Sequence, residues 1–337
     1  MTQKKWGSSR RRTPWDNLEE EQMTPMQRFL QEKYQEHYEQ RHPLLSETGE
    51  VELLNTIKPK TCPFCQGEHF TRKGYTKNGV QRFICKCGKT FLPTTGTIFD
   101  GHKISISEWI EYSLNIFRYM SITAGSWNNK NAFSTSKYWL EKIFLLLSDY
   151  QQDIVLSGKI WLDETHFSVR SDDIVLKEDG TKPRGLSNNQ LCIGVAYNKE
   201  MVVCFYEGLG KTSQKKTWDA FKDHIAPGST LIQDEDQAHR KLVRELGLIS
   251  ETHNSKSLKQ LDDKDNPVNQ VHRMLQLFLY SHRSFNRQEL QGYLNLFCFS
   301  YNPPEHPLEK VEKLLNFAFS IPKILRYRDL YPHKSSL

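Results

Sequence analysis

Two aspartates, an asparagine, a histidine and four cysteines carry the chemistry legible in this sequence. Asp163 sits in Trp161-Leu162-Asp163-Glu164-Thr165, inside the apolar run Lys159–Val169 that reads as a β-strand. Aspartate is disfavoured in a central strand, and a buried carboxylate is costly unless paired or bound to a metal. Alternation puts Trp161, Asp163, Thr165 and Phe167 on one face; the competing reading makes that face the solvated one. Asp234 follows the short buried strand Thr230-Leu231-Ile232-Gln233, just ahead of a helix. Strand ends that meet a helix N-terminus commonly carry site residues in α/β sheets; the plainer alternative is helix capping by Asp234 or Asp236. A helix opened by Asn266 and Pro267 then carries Asn269 and His272, three apart and so on one face. Singly, each of these residues is more often structural. Their order gives them weight: two carboxylates, then an oxygen and a nitrogen donor 35 and 38 residues after the second.

The cysteines make a second site. Cys62-Pro63-Phe64-Cys65 and Cys85-Lys86-Cys87 are two knuckles separated by 19 residues. Thiolates this close on tight turns can grip one tetrahedral Zn²⁺, and two such turns complete a structural four-thiolate site. The second knuckle has one intervening residue rather than two, which tightens it and leaves His69 as a substitute ligand. A redox pair or chance clustering are the alternatives. Arg72, Lys73, Lys77, Arg82, Lys86 and Lys89 coat this segment, which makes DNA contact plausible. Cys192, Cys204 and Cys298 lie in apolar surroundings. The usage reads as a cytoplasmic protein with one metal site and three buried thiols.

The elements that must position these groups follow from pattern. Lys159–Val169, Gln190–Tyr197, Met201–Glu207 and Thr230–Gln233 are strand-like. Residues 214–225, 237–247, 267–283 and 287–300 read as helices. Ahead of them, Ser107 opens a helix with Trp109, Ile110, Tyr112, Ser113, Ile116 and Phe117 on one face. A break is expected from Gly125 to Asn131. A second helix then carries Tyr138, Trp139, Ile143, Leu146 and Leu147, capped by Ser134-Thr135-Ser136. This pair could be a helix-turn-helix or a plain helical linker. Residues 25–42 read as a polar helix. The fold expected is α/β: an RNase H-like domain with a mixed five-stranded sheet and helices, preceded by a small zinc ribbon and a helical DNA-binding segment. The boundaries expected are 1–57 for a basic arm and polar helix, 58–100 for the ribbon, 101–155 for the helical segment, 156–302 for the RNase H-like domain and 303–337 for a helical tail.

Composition excludes little but agrees. Across 337 residues the hydrophobic share is 37% and the net charge +6. No apolar run approaches the roughly 18 residues of a membrane span, and the polar, basic start lacks the apolar stretch of a secretory signal. Lys4, Lys5, Arg10, Arg11 and Arg12 form an arm without an acid, either a solvated tail or a phosphate-neutralising arm.

The order of motifs resembles bacterial insertion-sequence transposases of the DDE type, in the branch with an N-terminal zinc ribbon and helix-turn-helix. The resemblance is carried by CPFC…CKCGKTF, Thr97-Ile98-Phe99, Leu162-Asp163-Glu164-Thr165, Arg184-Gly185-Leu186-Ser187, Ala226-Pro227-Gly228-Ser229-Thr230…Asp234 and Val268-Asn269…His272. It covers roughly residues 58–302. It implies that Asp163 and Asp234 are the first two catalytic aspartates and bind Mg²⁺ or Mn²⁺, and that Asn269 and His272 stand at the third position, usually Glu. Asp262, Asp263 and Asp265 match that position less well. Gln276 stands where the family often has Lys. The resemblance further implies metal-dependent cleavage at the element's ends and strand transfer into target DNA. Its partners would be double-stranded DNA with terminal inverted repeats and, because two ends are joined, at least a second copy of the chain. The site would lie at the bacterial nucleoid, with no membrane partner. Arg82, Lys86, Lys89, Lys137 and Lys211 are candidate DNA contacts. Lys159, Arg170, Lys215, Lys216, Arg240, Lys241, Lys256 and Lys259 would line the backbone path. Trp127 and Trp218 read as core residues, with stacking on a distorted base as the alternative. Without the third Glu, a catalytically inactive DNA-binding relative is the alternative; an RNase H-like resolvase and a zinc-ribbon transcription factor fit less of the chain.

Overall fold

The computed structural model describes residues 19–30, 47–101, 105–234, 237–253, 266–282 and 286–330. The basic arm, Asp236, Lys256, Lys259, Asp262, Asp263, Asp265 and residues 31–42 of the expected polar helix lie outside them, although residues 25–30 are helical. The chain divides into two compact units, Met1–Lys142 with Val311–Leu337, and Ile143–Lys310.

In the first unit, α1 (Glu47–Thr56) precedes a small antiparallel sheet, β1 (Phe70–Tyr75), β2 (Gln81–Cys85) and β3 (Thr90–Phe91), in the order β1-β2-β3. Phe70, Phe83 and Phe91 pack around buried Cys62 and Cys85. Three helices follow: α2 (Ile106–Phe117), α3 (Ile122–Asn128) and α4 (Phe133–Leu146). Ser105 caps α2 by accepting from the Glu108 amide, and Trp109, Tyr112, Ser113 and Ile116 are its buried stripe. The expected break from Gly125 is incorrect for its first half, because α3 runs through it. Gly125 is there for space: a Cβ would stand 3.2 Å from the Tyr112 ring. Helix α4 likewise begins before Ser134, so the serine–threonine cluster lies in its first turn rather than at its cap. Trp127 is exposed, against expectation, because α3 turns Ile122, Gly125 and Ser126 inward. α9 (Pro307–Ser320) and α10 (Tyr327–Leu330) end the described chain.

The second unit is built on a mixed five-stranded sheet. Its strands are β4 (Lys159–Ser168), β5 (Gln190–Tyr197), β6 (Val202–Leu209), β7 (Thr230–Asp234) and β8 (Ile249–His253), ordered β6-β5-β4-β7-β8. The first three pair antiparallel, while β7 pairs parallel with both β4 and β8. A 3-2-1-4-5 order with this polarity is the RNase H-like arrangement. On one face α5 (Gln214–Phe221) and α6 (Arg240–Leu246) cover Leu156, Ile160, Leu162, Ala196, Val203 and Leu231. Trp218 packs against this core, its ring under Lys241 Nζ at 4.9 Å. Against the other face lie α7 (Val268–Ser281) and α8 (Leu290–Tyr301), which touch β4, β5 and β6.

Strand β6 ends the sheet, and its outer edge is satisfied by side-chain amides. Asn302 Oδ1 accepts from Val202 N at 2.7 Å, Gln151 Oε1 from Cys204 N at 2.8 Å, and Gln291 Oε1 from Tyr206 N at 3.1 Å. Alternate residues are thus bonded as a sixth strand would bond them, which removes the open row of donors that makes an edge adhesive. Among the described residues, no helix is long and apolar enough to cross a membrane.

Candidate active site and metal centre

β4 and α7 build the site together. Strand residues two apart rise about 6.6 Å, and helix residues four apart about 6 Å, so the two elements can match side chain for side chain. They do. His272 Nδ1 stands 3.8 Å from Asp163 Oδ2, Gln276 Nε2 donates to Thr165 Oγ1 at 3.1 Å, and the Tyr280 ring lies 4.9 Å from that of Phe167. The face bearing Asp163 is therefore covered by a helix, and the solvated-face reading does not hold. Asp163 retains 32% side-chain exposure and His272 13%.

Asp234 is the last residue of β7 rather than the first beyond it. β7 pairs with β4 through Trp161↔Ile232; two further residues along that parallel register set Asp234 beside Asp163. The consequence is electrostatic. Burial first, then the charges of Glu164 and Asp234, push the Asp163 carboxyl up to about 7. Burial pushes His272 down to about 4, so its imidazole is neutral at physiological pH and offers a lone pair. Asn269 lies half-buried one turn nearer the start of α7. His272 thus lies against Asp163, and the charge of Asp234 reaches Asp163, but among the described residues only the four cysteines converge tightly enough to form a ready ligand group.

The opposite face of β4 holds a group that sequence reasoning missed. Glu164, one residue on, projects there and bonds His239 Nε2 at 2.8 Å, with side-chain exposures of 8% and 0%. Burial works against a charged His239. The Glu164 carboxylate outweighs it, with help from Asp234 and Glu207, and holds the imidazole above its usual pKa. Glu207, reached through a bulge in the β5–β6 pairing after Cys192, is pushed up to about 7 by burial and by Glu164. Thr212 and Thr217 donate to Glu207 Oε2, the latter at 3.4 Å. Gly194 makes the room: a Cβ there would stand 2.5 Å from Glu207 Oε1 and 2.7 Å from Phe221. The only available signal in the sequence was the pair Asp163-Glu164 itself, which strand parity sends to opposite faces.

The sulfurs of Cys62, Cys65, Cys85 and Cys87 lie within 4.8 Å of one another, the one group of this kind among the described residues. Cys62 and Cys87 are 3.9 Å apart, Cys65 and Cys85 3.5 Å. The short second knuckle converges because Gly88, at φ +80°, lets its amide reach Cys85 O at 2.9 Å while Lys89 O accepts from Cys85 N at 3.0 Å. His69 is not in the cluster. Four thiols this close suit Zn²⁺.

Of the cationic candidates, Arg82, Lys86, Lys89 and Lys211 are exposed and Lys137 is half-buried on α4. Lys216 is spent within the fold, donating to Leu209 O and Lys211 O, and Lys159 pairs with Glu251 at 3.2 Å. Arg240 and Arg244, four apart on α6, line a cavity of about 540 Å³ together with Asp234.

No family model and no curated protein matches the sequence. Solved structures do match. They include the Mos1 strand transfer complex, at 11% identity and TM-score 0.29, covering 64% of this chain and 78% of that one. The Mos1 mariner paired end complex with Mn matches at 12% and 0.29, covering 64% and 62%. A simian T-cell lymphotropic virus intasome in complex with PP2A regulatory subunit B56 gamma matches at 10% and 0.28, covering 55% and 66%. The chain thus spans less than two thirds of the last two. At these scores the fold assignment rests on strand order and polarity, not on superposition.

Proposed function

We propose that this chain is a DNA transposase of the bacterial insertion-sequence type, cutting DNA at element ends and joining those ends to target DNA with the help of divalent metal. The observation that supports this reading is the Asp163–Asp234 pair, set side by side on parallel strands of an RNase H-like sheet and faced by the helix that carries Asn269 and His272. The crowding of carboxylates at Asp163 is an energetic fault that a divalent cation relieves, so the residues fit Mg²⁺ or Mn²⁺. Bound there, such ions would activate the attacking water or 3′-hydroxyl and stabilise the leaving oxygen.

The chain's own groups divide the remaining work. Asp163 and Asp234 supply carboxylate oxygens. His272, kept neutral by burial, supplies nitrogen, which favours Mn²⁺ over the harder Mg²⁺, and Asn269 supplies a carbonyl oxygen. Arg240 and Arg244 draw backbone phosphates toward Asp234. The four-cysteine ribbon, holding zinc, presents Arg82, Lys86 and Lys89 to DNA, and two copies of the chain bring two ends together. Asn269 and His272, standing where the family usually has Glu, favour one rival, a relative that binds DNA without cutting it.

Incubating the purified chain with Mg²⁺ or Mn²⁺ on DNA bearing the flanking ends of its own element separates the two. Nicking and joining by the parent, absent from an Asp163→Ala, Asp234→Ala variant that still binds, supports the transposase. Tight binding with no cleavage in either metal selects the inactive relative.

A further inference from the structure

The row of side chains that begins at Asp163 ends in a cavity. Beyond Phe167, a space of about 310 Å³ is lined by Phe167, Val169, Arg170, Leu191, Tyr280 and Arg287. Its floor is apolar, since Phe167 and Leu191 are 7% and 2% exposed, while the Tyr280 ring is 52% exposed. Two guanidiniums, Arg170 and Arg287, line the cavity together with the carboxylate of Asp173, and Arg170 Nη2 also pairs with Asp172 at 3.4 Å. Arg170 Nη1 donates to Asn286 Oδ1 at 2.6 Å, and Asn286 is itself fixed with Glu289 in a reciprocal cap. That clamp ties the end of β4 to the turn that presents Arg287. An apolar slot with one aromatic face, and with two guanidiniums against the single lining carboxylate Asp173, matches a planar base attached to a phosphate. The volume is at the lower limit of small-ligand pockets, right for one nucleotide and too small for a duplex. Phe167 is four strand residues from Asp163, about 13 Å, or roughly four base steps along one strand of B-form DNA.

We propose that this cavity receives one unstacked base of the DNA strand held at Asp163, with the adjoining phosphate on Arg170 and Arg287. The identity of the ligand rests on the transposase reading; the chemistry of the pocket does not. Extruding a base near the cut would fix the strand's register relative to the carboxylates and relieve stacking at the element end.

The test uses the full chain and 2-aminopurine, whose fluorescence falls on stacking. One arm offers a short single-stranded oligodeoxynucleotide with one 2-aminopurine, the other 2-aminopurine deoxynucleoside monophosphate alone. Quenching of the oligonucleotide by the parent and by Tyr280→Phe, lost in Tyr280→Ala, is the expected result. Tyr280→Ala should lower affinity about five- to a hundredfold, and Arg170→Ala, Arg287→Ala should lower it as well. Unchanged thermal unfolding in the variants shows that they fold. Quenching of the monophosphate but not the oligonucleotide would overturn the assignment to a DNA strand. Parent-like quenching and affinity in Tyr280→Ala and the double arginine variant would overturn the pocket itself. Tyr280-dependent quenching with no metal-dependent cleavage leaves the pocket standing and removes the transposase; cleavage without Tyr280-dependent quenching does the reverse.

Discussion

Replacing Asp163 with asparagine should make the metal-free protein more stable at alkaline pH. The carboxyl is ordinarily half-ionised near 3.8, and in the fold it is pushed up to about 7. Below pH 4 the folded and unfolded chains both carry the proton, and Asp163 costs nothing relative to an asparagine in its place. As pH rises from about 4 to 7 the unfolded chain releases its proton and the folded chain keeps it, so stability falls by about 1.36 kcal/mol per unit. Above 7 the deficit is constant. Three units give about 4 kcal/mol at most, and the 32% exposure of the side chain allows solvent to screen part of it, leaving about 2–4 kcal/mol. For a unit of this size that is a rise of roughly 4–16 °C in Tm for Asp163→Asn. Urea unfolding followed by tryptophan fluorescence, at pH 8 and pH 4 in magnesium-free buffer, measures it. Mg²⁺ should then raise the Tm of the parent and leave the variant unmoved, because an ion that binds only the folded state stabilises it by mass action. A parent as stable as Asp163→Asn at pH 8 without metal would refute the reasoning.

Other outcomes follow from single contacts. Gly194→Ala drives a methyl into Glu207 and Phe221 and should cost about 1–3 kcal/mol, read as a lowered urea midpoint. His239→Ala strands Glu164 in the interior and should cost about 3–5 kcal/mol; adding Glu164→Gln should recover part of that loss in a double-mutant cycle. If the four-cysteine cluster holds zinc as proposed, Cys65→Ser should lower the zinc content measured by metal analysis and remove amide-exchange protection from β1–β3 while β4–β7 keep theirs. Gln276→Ala loses the bond to Thr165 and should cost about 1 kcal/mol, again read as a urea midpoint.

What the sequence revealed followed from where each element's information lies. β4 to β7 and α7 were legible because their apolar periodicity is strong and one or both faces are buried. β8 was not: Ile-Ser-Glu-Thr-His is exposed at every position and shows no alternation. α3 was hidden by Gly125, which reads as a helix breaker but is required by the ring of Tyr112 on the neighbouring helix α2. The places of Asp163 on β4, Asp234 on β7 and His272 on α7 were legible because those three elements were. The Glu164–His239–Glu207 cluster was not, since it depends on a bulge after Cys192 and on a short 3-10 turn at Gln237–His239. Neither has a periodic signature. His69 was a reasonable fourth-ligand candidate, displaced because a glycine in the left-handed region closes the shorter knuckle.

The amides that line the edge of β6 come late in the chain. Gln291 and Asn302 follow the residues they cap by 85 and 100 positions. During synthesis at about 5–20 residues per second, β6 therefore emerges roughly 5–20 s before two of its three protectors. In that interval Gln151, already made, is the one amide of the three that can occupy the edge. A ribosome pausing between residues 209 and 291 would lengthen the exposure of a hydrophobic strand with open donors. Yield and aggregation of this protein should then respond to codon choice in that stretch, and to co-expressed chaperones, even when the finished chain is unchanged.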